Sequence, residues 1–397
     1  MNKRYNRTKI ACYLGFITQS ITGNFIPLLF LTFHRNYGLS LTKIAMIPTA
    51  FFITQLIVDL LCSKLADKVG YRKSIITSEI LAGCGLIMLS FVPDIVPNPY
   101  IGILLCTIVY AIGSGIIEVL CSPIIEACPF ENKAGMMTLL HSFYCWGAVG
   151  VVLLSTIYFK IFGIDNWRIL AIFWAIIPLI NVYNFSVCPI EPIVEENQGM
   201  KMGALLKQKV FWLFIVLMVC AGACEIAMGQ WASSFVESSL HVTKDVGDLA
   251  GPCAFALFMG ISRVLYTKYG EKWNIIRFML LSGFICLTSY LITSLTNWSV
   301  VGLIGCMLCG FSVGIMWPGA ISISSQKMPR AGTALFAFLA LAGDMGGVLG
   351  PTVVGAVSQQ ADDNLRIGIL AGTIFPAILI ICMIILLVSK ITINDKD

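Results

Sequence analysis

Charge is what this chain lacks. Only 12% of its 397 residues are charged and three are histidine, while 58% are hydrophobic. A water-soluble globule of this size covers its surface with roughly a quarter charged residues, so a soluble domain is excluded. No GxxxxGK[ST] stretch is present, which removes an ATPase. Cys306 and Cys309 form a CxxC, but no second cysteine pair or histidine completes a metal site beside them, and no nucleophile constellation appears. These gaps argue against an enzyme and call for no cofactor and no metal. The first apolar run is too long for a signal-peptide core and has no small-x-small cleavage site, so we expect it to stay as a helix. The 15 cysteines fall mostly within apolar runs, where they read as small, reduced packing residues.

What is present is apolar length. The mean hydropathy is +0.87, and crossing about 30 Å of hydrocarbon takes about 20 helical residues whose backbone groups are all satisfied internally. On that template the chain reads as an all-α integral membrane protein with twelve spans: 10–33, 41–63, 74–92, 100–126, 134–159, 168–188, 210–236, 247–267, 275–294, 299–325, 332–357 and 367–389. With the N-terminus inside, 19 of the 26 basic residues fall on cytoplasmic ends and loops. That bias places both termini in the cytoplasm of a multi-pass cell-membrane protein. The net charge of +5 is then mostly an orientation signal, with no call for a nucleic-acid partner.

The longest polar connection, "PIEPIVEENQGMKMGALLKQK", divides the chain into a six-helix half at 1–190, a cytoplasmic linker at 191–208 and a second half at 209–397. The halves resemble each other. At an offset of 200, "LADKVGYRKSII" lies over "LYTKYGEKWNII" and Gly83 falls on Gly283; at 197, "KAGMMTLL" lies over "RAGTALFA". A parallel repeat of this kind places a central site between two halves, near the midplane.

The densest charge sits in "SKLADKVGYRKS" (63–74), between two apolar spans. Asp67 can accept from helix N-terminal N–H groups, Gly70 permits a sharp turn, and the bases stay with cytoplasmic headgroups. This stretch resembles the loop between the second and third helices of the major facilitator superfamily, Gly-x-Leu-Ala-Asp-x-x-Gly-x-Arg-Lys. Leu65, Ala66, Asp67, Gly70, Arg72 and Lys73 match, and Ser63 replaces the leading glycine. The resemblance implies the two-half, twelve-helix fold and a conformational latch made of Asp67, Gly70, Arg72 and Lys73. An acidic residue at the inner end of the fourth helix completes such a latch; Glu126 stands there and could pair Arg72. A narrower likeness follows. "GIIEVLCSP" (115–123) and "HSFYCWGAVG" (141–150) are similar to stretches of fucose-permease-like sugar–proton symporters, whose fourth-helix glutamate is associated with proton coupling; that role transfers to Glu118.

Glu118 is notable without any family. It lies eight residues before Glu126, about 12 Å along a helix, and a carboxyl group so deep in a span must face a cavity or a partner, or carry a proton. Glu225, mid-span in "CAGACEIAMGQW", invites the same argument, so both are candidates for proton coupling. Asp59, Glu79, Arg263 and Asp344 read as structural ion-pair formers. Sugars present an apolar ring face and a rim of hydroxyls, so a solute site should combine aromatic rings with amides and hydroxyls. The candidates are Gln19, Asn24, His141, Tyr144, Trp146, Gln230, Trp231 and Trp317.

Three classes of function remain: a proton-coupled secondary transporter of a small polar, sugar-like solute; a proton-driven exporter of an amphipathic compound; and a non-transporting receptor on the same fold. The Glu118 and Glu225 pair favours a proton-coupled cycle over a passive scaffold, and symport and antiport both stay open. We expect a monomer whose partners are the solute, protons and the lipid bilayer.

Overall fold

The computed structural model describes residues 3–39, 41–191, 200, 202–240, 249–362 and 364–388. Helices account for nearly all of them, and no strand occurs among the described residues. The long helical runs are α1 (Asn6–Asn24), α2 (Leu41–Val69), α3 (Tyr71–Leu89), α4 (Pro99–Ala127), α5 (Lys133–Phe162), α6 (Trp167–Val187), α7 (Lys209–Leu240), α8 (Ala254–Tyr269), α9 (Ile275–Leu295), α10 (Ser299–Val313, then Met316–Lys327), α11 (Gly332–Gln360) and α12 (Leu365–Ala371, then Ile374–Val388). Eight helices among the described residues are long and apolar enough to cross a membrane, and Met46–Cys62 within α2 is a shorter apolar stretch.

Local chemistry explains where these helices begin. Asn98, Asn274 and Asn364 cap α4, α9 and α12, their side-chain oxygens accepting from backbone N–H groups of the first turn. It also explains where the expected continuous spans break. Past α1 the chain tightens into a 3-10 turn, Ile26–Leu29, before Phe30–Tyr37 resumes as α-helix. Pro27 lies at the start of that turn and offers no N–H, so one helical hydrogen bond is missing where the chain tightens. The eighth span opens with a π-helical turn, Leu249–Cys253, that carries Pro252, and only then runs as α8. Residues 241–248, which include the start of that expected span, lie outside the described residues, as do 192–199 and 201 of the linker and 389–397.

The chain gathers into two compact units. One comprises Met1–Glu131 with Phe143–Ile193, the other Asn132–Ser142 with Val194–Asp397. The first turns of α5 therefore group with the second unit. In the first unit a single apolar core joins α1, α2, α3, α4 and α6 around Phe25, Phe33, Tyr110 and Trp167. At one end of that unit Arg168 makes an ion pair with Asp94 at 2.9 Å, and both bond Tyr37. Burial and the bond to Asp94 push the Tyr37 phenol up to about 12, so the cluster keeps its proton through neutral pH. At the other end Tyr5 donates to Glu191 at 2.9 Å and Thr8 to the carbonyl of Pro189 at 2.6 Å.

The second unit depends on small residues. Gly222, Gly343, Gly346 and Gly350 bring α7 and α11 together so closely that a Cβ at any of them would strike the partner helix or the ring of Trp317. In an apolar medium this close approach replaces hydrophobic driving force with van der Waals contact.

The 200-residue repeat reappears as packing inside each unit. A Cβ on Gly83 in α3 would lie 3.0 Å from Leu179 of α6, and one on Gly283 in α9 would lie 3.1 Å from Leu379 of α12. Both the glycine and the leucine are displaced by the same offset. Gly83→Leu and Gly283→Leu should each overpack their interface and cost about 1–3 kcal/mol. Thermal unfolding in detergent should show similar losses for both, and little loss for Gly150→Leu, where a Cβ would meet nothing within 4 Å.

Candidate transport site

In the first unit the fourth-helix carboxyl is held by amides. Glu118 on α4 is half-buried, and its Oε2 accepts from Gln19 Nε2 of α1 at 2.7 Å and from Gln55 Nε2 of α2 at 3.0 Å. Both glutamines are buried, at 8% and 3% exposure. No lysine, arginine or histidine occurs within 10–33, 44–63 or 99–127, so these stretches of α1, α2 and α4 offer the carboxyl no basic partner. Gln55 escaped the sequence reading. The signal was there: an amide in the middle of the apolar second span, one turn before Asp59.

Other candidates of this unit behave differently. Asn24 turns back on its own helix, donating to the carbonyl and hydroxyl of Ser20 at 2.9 and 3.4 Å. Tyr144 on α5 faces α1, its hydroxyl 3.7 Å from where a Cβ on Gly23 would stand, and Gly147, one turn later, packs on Ser20. Trp146 sits about 200° further round that helix than Tyr144, off the α1-facing side. Glu79 is fully buried, yet it forms no ion pair of the kind expected. Its two oxygens accept from Asn181 Nδ2 at 2.7 Å and Thr18 Oγ1 at 3.0 Å, while Asn181 also donates to the carbonyl of Ala11. Glu79 thus ties α1, α3 and α6 through neutral donors.

In the second unit the carboxyl meets a cation. Glu225 on α7 pairs with Arg263 on α8 at 3.3 Å, with both side chains at most 10% exposed. The guanidinium also donates through Nε to the carbonyl of Gly314 at 2.8 Å and through an NH group to the carbonyl of His141 at 2.7 Å. Gly314 opens the two-residue break in α10, where a carbonyl lacks its helical donor, and Arg263 supplies one. His141 is buried and enters this cluster through its backbone. Trp317, just past the break, packs its ring on Gly343; Trp231 donates to the carbonyl of Pro351 at 3.2 Å, and its neighbour Gln230 is exposed. Trp231 and Trp317 are both half-buried against α11.

A family model for the Major Facilitator Superfamily matches residues 11–351. The chain belongs to that superfamily. Solved structures agree on the fold. A variant of the E. coli fucose:proton symporter superposes with a TM-score of 0.76 at 16% identity, covering 96% of this chain and 98% of that one. A proton:xylose symporter of the same superfamily gives 0.82 at 12%, over 97% and 95%. The human organic anion transporter MFSD10 gives 0.75 at 13%, over 95% and 99%. The protein is a multi-pass membrane transporter of small-molecule substrates with the twelve-helix, two-half major facilitator fold.

In this transporter the loop between α2 and α3 turns at Gly70, whose φ of +91° is a conformation that L side chains rarely adopt. Lys73 is exposed. Arg72 does not pair with Glu126. Its guanidinium donates to the carbonyls of Phe185 and Ser186 at 2.7 and 2.8 Å and of Cys188 at 2.7 Å, because the end of α6 presents carbonyls without helical donors and one guanidinium can reach all three. Glu126 is buried at 8% exposure, and the side chain of Asp67 lies outside the described residues.

The Glu225–Arg263 pair has a measurable consequence. Arg263→Met leaves a buried carboxylate without its countercharge and should cost about 3–5 kcal/mol. The double variant Arg263→Met/Glu225→Leu should recover most of that loss in thermal unfolding of the purified protein.

Proposed function

We propose that this transporter moves a small polar, sugar-like solute together with protons, by alternating access of the halves 1–190 and 209–397 about the linker 191–208. The observation that carries this reading is the environment of Glu118: a carboxyl in mid-span, gripped by two neutral amides. An ion pair with a cation would hold such a group permanently charged, whereas amides let it take up and give back a proton. Glu225 faces Arg263 and ranks second as a carrier. Hydrogen-bonding groups of Gln19, Asn24, His141, Tyr144 and Gln230, with the rings of Trp146, Trp231 and Trp317, are the proposed contacts of the solute. The likeness to fucose and xylose symporters supports a sugar as cargo. The human organic anion transporter supports a second reading, in which an amphipathic anion is exported against protons. In neither does the protein make or break covalent bonds in its cargo.

Asp67, Gly70, Arg72, Lys73 and Glu126 are the proposed latch. In this reading Arg72 fastens the loop to the end of α6, which leaves Asp67 to engage its partner. The protein works as a monomer in the cell membrane with both termini inside.

Glu118→Gln mimics the protonated carboxyl. In proteoliposomes that variant should still exchange solute in counterflow and should lose uptake driven by a pH gradient; L-fucose, D-xylose and an organic anion form the panel. Gradient-driven accumulation at the wild-type level in Glu118→Gln would remove this residue from the mechanism and bring Glu225 forward. Orientation is tested separately. A membrane-impermeant thiol reagent applied to intact cells should modify Ile95→Cys and Trp298→Cys and spare Lys207→Cys; labelling of position 207 from outside would invert the topology.

A further inference from the structure

Neighbouring residues of α1 serve two different carboxyl groups. Thr18 donates to Glu79 at 3.0 Å, and Gln19 donates to Glu118 at 2.7 Å. Gln55 donates to the same Glu118 oxygen at 3.0 Å, so two N–H groups converge on Oε2. The second polar atom of the Gln19 amide, Oε1, is buried and accepts no hydrogen bond. A buried acceptor left without a donor is costly and uncommon in native proteins, and here it belongs to the very amide that touches the proposed proton carrier.

We propose that Gln19 is a positioning residue that serves Glu118 in both of its protonation states. The inference rests on the reading of Glu118 as a proton carrier. An ionised carboxylate only accepts, so it needs the N–H face of an amide, and the observed contact supplies that face. When a proton adds to a Glu118 oxygen, an O–H bond forms, and its hydrogen needs an acceptor. A half-turn of the Gln19 amide about its last torsion, which is broad and two-fold, brings Oε1 to the place of Nε2, where it accepts that hydrogen. The orphan acceptor is thereby satisfied. Release of the proton breaks the same O–H bond and lets the amide turn back, leaving Gln19 unchanged. Gln55 keeps its N–H on the carboxyl and holds it in place.

The packed elements carry other ionisable groups. Glu79 on α3 is engaged by Thr18 and Asn181. Asp59 lies one turn past Gln55 on α2, Glu126 two turns past Glu118 on α4, and the Tyr144 phenol on α5 faces α1. Ionisable side chains in the middle of these helices also include Cys12 and Tyr13 on α1, Cys106, Tyr110 and Cys121 on α4, and His141 on α5. Of the groups on these helices, Gln19 and Gln55 are the ones whose N–H groups meet on Glu118 Oε2.

Infrared difference spectra of the purified full-length protein, recorded as the pH is stepped, test this without any solute. The wild type should show a protonated-carboxyl band that is absent from Glu118→Gln. In Gln19→Met the band should move to the higher frequency of a carboxylic acid whose O–H has lost its acceptor. In Gln55→Met, which removes only a donor, it should stay near its wild-type position. Gln19→Asn keeps both amide atoms one methylene short and should give a smaller shift, which decides the matter should Gln19→Met fold poorly. A wild-type band position in Gln19→Asn and Gln19→Met would overturn the role of Gln19 while leaving Glu118 as carrier. Persistence of the band in Glu118→Gln would overturn the proton-carrier reading and this inference together.

Discussion

An ionisable side chain on a helix in an apolar medium cannot rely on water, so it must find its hydrogen-bonding partners among neighbouring helices. Three carboxyl groups of this transporter meet that constraint in three ways. Glu79 takes a hydroxyl and an amide and is fully buried; Glu118 takes two amides and stays half-exposed; Glu225 takes a guanidinium. The partner sets the job. Neutral donors from α1 and α6 tie Glu79 of α3 to both helices, a guanidinium from α8 holds Glu225 of α7, and amides from α1 and α2 hold Glu118 of α4.

Close approach of helices is what allows those partners to be reached. Side-chain hydrogen bonds span about 3 Å, so the helix axes must come near enough for a glutamine on one to touch a glutamate on the next. Gly15 shows the effect: a Cβ there would come within 2.9 Å of the Cys121 sulfur and 3.4 Å of a Glu79 oxygen. Gly115 does the same between α4 and α2, where Val58 and Gln55 pack against it. In the second unit the glycines of α11 bring that helix onto α7, and the break in α10 at Gly314 turns a carbonyl towards Arg263. Small residues and interrupted helices thus serve the polar groups as much as the packing.

The superfamily fold explains why so little sequence identity suffices. At 12–16% identity the compared transporters superpose over nearly their whole length, because the fold asks mainly for apolar spans of the right length, charged inner loops and small residues at crossings. Many sequences meet those requirements. Cargo and coupling depend instead on a handful of polar side chains, and those can be exchanged without disturbing the spans.

The amino-acid sequence alone determined that this is a polytopic helical membrane protein with an internal repeat and the Asp67–Lys73 motif, because hydropathy, charge bias and glycine placement are properties of the chain read in one dimension. It marked Glu118 and Glu225 as well, since a carboxyl in an apolar run stands out without a structure. Their partners did not stand out. Gln55 and Arg263 lie 63 and 38 residues away from the groups they bond, and nothing in a one-dimensional pattern says which faces of which helices meet. For the same reason the sequence does not show that the Arg72 guanidinium goes to the free carbonyls at the end of α6 and not to Glu126, or that Glu79 meets an amide and a hydroxyl in place of the ion pair expected of it. Only the tertiary structure decided that, of two carboxyl groups that look alike in sequence, Glu118 accepts from two amides and Glu225 pairs with a guanidinium, because those partners come from the helices that pack beside them.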